Sequence, residues 1–284
     1  MKPYISIVTA TYNSVQLLQR CLDSVSSQTF KAVEHIVIDG ASTDGTVEII
    51  KLNKEKIAYS VSEPDTGVYN AWNKAVPHTR GEWVLFLGSD DRLVNETVLE
   101  RIALHLEDAY PSHRLVYGIL LVSRRGTEET LFPVGEPWAN LKGRYSRANI
   151  LLPPHPATFQ HRSIFNGAGT FDETFKIAGD SKFVTQEVLK REPLFVPVEV
   201  TRFSIGGLSW TPGRGERMIW EEERKISKEF GIKVAFPRLF INYIKAIIKD
   251  NIHHYLGEKA ALAFVNVFRI LKLKKPIYLF QFRK

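Results

Sequence analysis

Four short apolar runs, each ending in a polar or acidic turn, shape the first ninety residues of this chain and restrict what it can fold into. Tyr4–Ala10, His35–Asp39, Ile57–Ser62 and Glu82–Leu87 have the length and composition of strands. Helical patterns separate them. Val15, Leu18, Leu22 and Val25 share one face after the first run; further helices are expected from about Thr46 and near Gly67–Val76. Strands and helices alternating at this spacing predict parallel βαβ units with right-handed crossovers. The fourth run is the sharpest. Trp83-Val84-Leu85-Phe86-Leu87 stops at Gly88-Ser89-Asp90-Asp91, which delivers two adjacent carboxylates to the rim of a sheet.

Beyond Asn95 the rhythm loosens. Glu96–Leu106 reads as a helix and Leu115–Val122 as a strand, followed by a Gly- and Pro-punctuated stretch to about Pro156. A helix near Asp180–Lys190 and a strand at Leu194–Val200 close the predicted catalytic unit, and residues 216–230 form a charged helix. The economical division is a domain over 1–215 with a helical appendage over 216–284.

Composition narrows the classes. With 284 residues, 44% of them hydrophobic, the chain can bury a large core. Its single cysteine, Cys21, excludes an intramolecular disulfide framework and a cysteine-based zinc cluster, and fits a buried thiol. A strand within the first five residues leaves no room for a secretory signal, so a reducing cytosol is expected. The net charge of +7 is uneven: residues 231–284 carry eleven Lys or Arg against Asp250 and Glu258, giving +9, and residues 1–230 carry −2.

Parallel sheets bind ligands beyond the carboxyl ends of their strands. Four segments offer suitable groups there: Thr9-Ala10-Thr11-Tyr12-Asn13, Asp39-Gly40-Ala41-Ser42-Thr43-Asp44-Gly45-Thr46, Glu63-Pro64-Asp65-Thr66-Gly67 and Ser89-Asp90-Asp91. Singly, each is an ordinary turn or helix cap. Together they point carboxylates at one crevice, where a cation or hydrogen-bonding sugar and base groups must offset their repulsion.

In combination these motifs resemble the family 2 glycosyltransferases, together with Ser6-Ile7-Val8 ahead of the first and Val68-Tyr69-Asn70-Ala71-Trp72-Asn73-Lys74 after the third. The resemblance covers about residues 4–210. The Glu-Pro-Asp-x-Gly-x-Tyr-x-Ala variant and Phe203-Ser204-Ile205-Gly206-Gly207-Leu208-Ser209 resemble bacterial enzymes that assemble colanic acid and other surface polysaccharides. The implied fold is α/β of the GT-A type, a Rossmann-like, mixed and mostly parallel sheet flanked by helices. The implied activity is inverting, metal-dependent transfer of a sugar from a nucleotide-sugar, UDP being the commonest nucleotide, to a saccharide or lipid-linked saccharide acceptor.

The resemblance also implies roles for single residues. Thr9, Tyr12 and Asn13 would line the nucleotide pocket, Asp39 would accept a hydrogen bond from the base, and Asp65 would approach the base or ribose. Asp90 would face the ribose or sugar and Asp91 the metal, Mg²⁺ or Mn²⁺, with Ser89 in place of the first acid of the strict Asp-x-Asp element. Asp180, in Ile177-Ala178-Gly179-Asp180-Ser181-Lys182-Phe183, would be the base that deprotonates the acceptor. Gly179 stands where the family more often has an acid, and Asp172 is the competing residue. His155, in a loop bounded by prolines, would contact the diphosphate or the acceptor sugar. Ser204–Ser209 would close over the donor phosphates, with Ser209 among the donor contacts. Lys74 and Arg80 read as surface charges and Trp72 as core.

In the tail, Leu239, Phe240, Tyr243, Ile244, Ile247 and Ile248 form an apolar stripe beside Lys245 and Lys249. The longest uncharged apolar stretch, Ala260–Phe268, is far short of the ~20 residues that span a bilayer. A basic amphipathic tail fits peripheral contact with an anionic membrane at the cytoplasmic face, and packing on the domain or a second subunit is the other reading. Two further classes compete: a nucleotidyltransferase and a basic-tailed binding module. The first would show a Gly-rich basic phosphate loop after the first strand, which Thr11-Tyr12-Asn13-Ser14 is not. The second would need a nucleic-acid-binding motif, and none is present, so no nucleic-acid partner is expected.

Overall fold

The computed structural model describes residues 2–124, 127–145, 151–165, 170–206, 214–232 and 255. In chain order its elements are β1 (Ile5–Thr11), α1 (Leu18–Ser26), β2 (Val33–Asp39), α2 (Thr46–Leu52), β3 (Tyr59–Ser62), α3 (Val68–Ala75), β4 (Trp83–Phe86), β5 (Arg92–Leu93), α4 (Val98–Leu106), β6 (Leu115–Ser123), β7 (Thr130–Val134), α5 (Trp138–Tyr145), β8 (Thr158–His161), α6 (Gly179–Lys190), β9 (Leu194–Ser204) and α7 (Arg214–Glu229). Among the described residues the strands form one mixed sheet, ordered β3-β2-β1-β4-β8-β6-β9-β5, with β7 beside β6.

The βαβ rhythm of the sequence becomes the parallel half of this sheet. β1 pairs in parallel with β2 and β4, and β2 with β3. Their carboxyl ends therefore share one edge, which is the geometric requirement for a common crevice. The other half was legible in part: β6 and β9 fall where strands were expected, whereas β5, β7 and β8 were not foreseen. β8 runs antiparallel to both β4 and β6, just past the stretch read as Gly- and Pro-punctuated, where no element was expected. Four residues following a proline loop carry too short a pattern to register as a strand; pairing on both sides makes them one.

β1, β2 and β4 are buried on both faces, so their side chains read as largely apolar runs, whereas the edge strand β3 alternates between half-buried and exposed residues. Leu18 and Leu22 of α1 pack with Val37 and Ile50. Val15, expected on the same face, precedes the helix and is exposed. An aromatic cluster fills the space beside β4: Trp72 lies 4.9 Å from Phe86 and from Phe171, and Phe171 lies 4.6 Å from Phe183. Arg80, read as a surface charge, is exposed as expected and also anchors a buried acid. Its main-chain N–H and Nε donate to Glu34, which also accepts from Ser6 Oγ at 2.6 Å.

Two buried histidines make the fold acid-sensitive. Burial lowers the His35 pKa to about 4 and the His155 pKa to about 3. Their unfolded values are near 6.5, so the unfolded chain takes up protons the folded chain refuses as pH falls below that. This stability is complete above pH 6.5 and is lost toward pH 4, on the order of a few kcal/mol for each ring. The midpoint of thermal unfolding is expected to fall steadily from pH 6.5 to pH 4, with a shallower slope in His155→Phe.

The chain divides into two compact units, Met1–Gly143 with Leu151–Ser204, and Arg144–Ile150 with Ile205–Lys284. The first holds the sheet. The described part of the second is chiefly α7, where Arg217 and Glu221 pair at 3.1 Å one turn apart. This division falls at Ser204, ahead of the expected boundary at 215. Among the described residues no helix is long and apolar enough to cross a membrane. The tail stripe and Ser209 lie outside the described residues.

Candidate active site

Hydrogen bonds join the four strand-end motifs into one structure. Asn13 sits at φ 48°, a left-handed conformation that asparagine tolerates better than most residues. From there its N–H donates to Ser42 Oγ at 2.8 Å, and its Oδ1 accepts from the Thr43 N–H at 3.0 Å. Ser14 N–H donates to Thr46 Oγ1, and Val15 N–H to Asp44 Oδ2. Ser14 Oγ also meets Ser89 Oγ at 2.9 Å, tying the β1 loop to the acidic turn after β4. Ser89, which cannot be a carboxylate ligand, is therefore a structural link.

Gly40 brings the third motif in. A Cβ there would lie 2.6 Å from Asp65 Oδ2 and 3.4 Å from the Tyr12 ring, so the glycine lets the Asp65 carboxylate close on the β2 loop beside Tyr12. Tyr12 is 64% exposed at the mouth of this slot. An aromatic ring left open to water beside a carboxylate offers a stacking face and a hydrogen-bond acceptor, the two groups a nucleoside needs.

Asp39 and Thr9 lie deeper than the resemblance implied. Asp39 is fully buried, and its oxygens accept from Ser42 N–H at 2.9 Å, Ser42 Oγ at 2.5 Å and Ser62 Oγ at 2.6 Å. In this conformation it shapes the β2 loop. Thr9 is also fully buried, with its hydroxyl 2.9 Å from His35 Nε2 under α1. The buried hydroxyl at the strand end is Thr11 Oγ1, which has no hydrogen-bond partner. His155 is a core residue here: it is 6% exposed, stacks on Trp72 at 4.9 Å and bonds Gln160. The prolines that fix its loop turn the ring inward.

The acidic turn has an unusual electrostatic state. Asp91 is 3% exposed. Burial first, and then the neighbouring Asp90 charge, push its pKa well above the carboxylate range. Hydrogen bonds act against this rise, including one from the Ser204 N–H to Asp91 Oδ1 at 2.9 Å. Ser204 Oγ adds a bond to the Asp90 carbonyl at 2.7 Å. Gly88 makes room, since a Cβ there would stand 2.7 Å from Asp91 Oδ2. A carboxyl desolvated this far keeps its charge best beside a cation, so the donor chemistry fits a divalent metal. Among the described residues no group of three or more His, Cys, Asp or Glu is arranged to hold a metal. Asp91 would be a single protein anchor.

Asp180 lies in the first turn of α6, where the helix dipole favours the ionised form. The Tyr69 hydroxyl of α3 is 3.3 Å from Asp180 Oδ1 and 2.5 Å from the Ile177 carbonyl. The same ring explains Gly179. A Cβ at 179 would lie 2.7–2.9 Å from three Tyr69 ring atoms, so tyrosine fills the space an acid would need. Gly179→Ala is expected to destabilise by about 1–3 kcal/mol through overpacking, and by less in a Tyr69→Ala background; chemical denaturation of the four variants measures both. Tyr69 and Ser204 stood within motifs read from the sequence, but nothing local marked their partners.

A mixed sheet with acidic loops at the carboxyl ends of its parallel strands is the architecture of GT-A glycosyltransferases. Solved structures share it: a mannosyltransferase from Pyrobaculum calidifontis in complex with GDP-Man and Mn²⁺ (TM-score 0.64, 19% identity, covering 97% of this chain and 82% of that one), and a fragment of Staphylococcus aureus TarS in complex with UDP-GlcNAc (TM-score 0.60, 19% identity, covering 95% and 76%). Residues 6–166 match the family described as glycosyl transferase family 2, and the chain belongs to that family. An uncharacterized glycosyltransferase of Mycobacterium tuberculosis is 31% identical over 207 residues, 72% of this chain and 77% of that protein. A PGL/p-HBAD biosynthesis glycosyltransferase of Mycobacterium bovis is 32% identical over 184 residues, 64% and 68% of the two chains.

Proposed function

We propose that this glycosyltransferase moves a sugar from a UDP-sugar to a hydroxyl of a saccharide or lipid-linked saccharide, with inversion, in the assembly of a bacterial surface glycan. The observation that carries the reading is the joining of the strand-end motifs: Asn13 to Ser42 and Thr43, Ser14 to Ser89, and Tyr12 and Asp65 about Gly40. Relatives support its direction. A PGL/p-HBAD enzyme is among them, and TarS, named a poly(ribitol-phosphate) beta-N-acetylglucosaminyltransferase, is 29% identical over 200 residues, 67% of this chain and 33% of that protein. TarS structures hold UDP and UDP-GlcNAc, whereas the mannosyltransferase holds GDP-Man.

In this reading Tyr12 stacks on the base and Asp65 meets the base or ribose. Asp90 faces the sugar side, and Asp91, oriented by Ser204, anchors a divalent cation. When bound, that cation would supply Lewis-acid neutralisation of the leaving diphosphate. Asp180 takes the proton of the acceptor hydroxyl, and direct displacement at the anomeric carbon inverts it. Peripheral contact of the basic tail with an anionic membrane, at the cytoplasmic face, belongs to the same proposal.

The test is a panel of UDP- and GDP-sugars assayed for donor hydrolysis and for metal-dependent thermal stabilisation. Hydrolysis of a UDP-sugar with release of UDP is expected. Stabilisation by GDP-sugars alone would overturn the choice of nucleotide. Release of pyrophosphate from a nucleoside triphosphate would instead favour nucleotidyl transfer.

A further inference from the structure

We infer that Arg20, Arg92 and Arg202 form a binding site for a phosphate group, with the Glu128 carboxylate standing in its place. Arg92 and Arg202 are directly opposed on the antiparallel β5–β9 pair, an arrangement of like charges that destabilises a sheet unless an anion lies between them. Arg20 reaches the same point from α1. All three guanidinium groups contact one carboxylate: Arg20 Nη2 lies 3.3 Å from Glu128 Oε1, Arg202 Nε lies 3.5 Å from Glu128 Oε2, and Arg92 pairs with Oε1. Three positive charges face one negative charge.

Arg92 and Arg202 are built in and the glutamate is not. The Arg92 and Arg202 side chains are 15% and 13% exposed, against 75% for Glu128 on the β6–β7 connection. Arg202 Nη1 is fixed by Ser123 Oγ at 3.0 Å, the Glu128 carbonyl at 3.1 Å and Thr130 Oγ1 at 2.5 Å. Its Nε is buried and reaches no hydrogen-bond geometry. A monoanion on a surface loop leaves such a cluster undercompensated. A phosphate brings up to twice the charge and more acceptor oxygens, in the geometry guanidinium forks match. Arg92 directly follows Asp91, and β9 carries both Arg202 and Ser204, whose N–H binds Asp91. The inference does not rest on the proposed reaction.

The experiment measures binding of inorganic phosphate and of a soluble diester, bis-glycerol phosphate, to the full chain by calorimetry with divalent cations chelated. The two probes separate a free phosphate from a phosphodiester within a larger molecule. At least one is expected to bind. Its affinity is expected to rise about tenfold in Glu128→Gln, where the competing carboxylate is gone, and to fall about tenfold in Arg20→Gln, a substitution at a surface position that keeps the fold. Arg202→Gln should abolish binding, and Asp91→Asn should leave it unchanged. Failure of both probes, or affinity that ignores Glu128→Gln and Arg20→Gln, overturns the site. Dependence on Asp91 also overturns it, because binding would then belong to the donor corner.

Discussion

Asp180→Asn is expected to lower kcat by about 10²–10⁴-fold, the range lost when a general base is removed, while donor affinity is retained. The amide keeps the shape and the contact with Tyr69 but takes up no proton. Single-turnover kinetics paired with donor calorimetry separates the two effects, and lost donor binding would sink the base role. Asp172, the competing acid, is chemically unsuited. Burial pushes its pKa up, but hydrogen bonds from Lys182 and Thr174 outweigh this and hold it at about 2. With Lys182 Nζ 2.8 Å away, its carboxylate is already neutralised. Asp172→Asn should therefore cost far less in turnover than Asp180→Asn.

Asp91→Asn is expected to remove metal-dependent donor binding and to cost about 10²–10³-fold in turnover, the scale of losing one preorganised electrostatic contact to developing charge. Its effect on stability should run the other way. Without divalent cations the wild-type chain must desolvate a carboxyl beside Asp90, whereas an asparagine accepts the same Ser204 hydrogen bond with no charge to bury. The metal-free variant should melt no lower than wild type. Adding Mn²⁺ and donor should raise the midpoint of wild type alone, by mass action on the folded state. Equal stabilisation of both would remove Asp91 from the metal site.

Much of this was legible because it is local. A strand end followed by Ser89-Asp90-Asp91, or an Asp-Gly turn ahead of a helix, is written in adjacent residues, and the parallel half of the sheet appeared where the alternation placed it. What failed to show depends on residues distant in sequence. Gly179 reads as a missing acid until the Tyr69 ring is found in the space of its side chain. His155 reads as a loop ligand until Trp72 and Phe86 stack on it. Arg80 is the surface charge it reads as, but its pairing with the buried Glu34 shows only in the structure.

Periodicity and turn chemistry act over a few residues, so the family, the βαβ frame and the acids at its strand ends are readable from the chain alone. Which of those groups face open space is set by packing between distant segments. Tyr12 stands exposed because it lies past the last residue of β1, whereas Thr9 and Asp39 belong to strands buried on both faces and are enclosed by α1 and the β2 loop. Packing also decides charge. Asp91 is driven toward neutrality and three arginines meet on Glu128 only because strand pairing and burial bring them together, and no spacing along the chain encodes a dielectric.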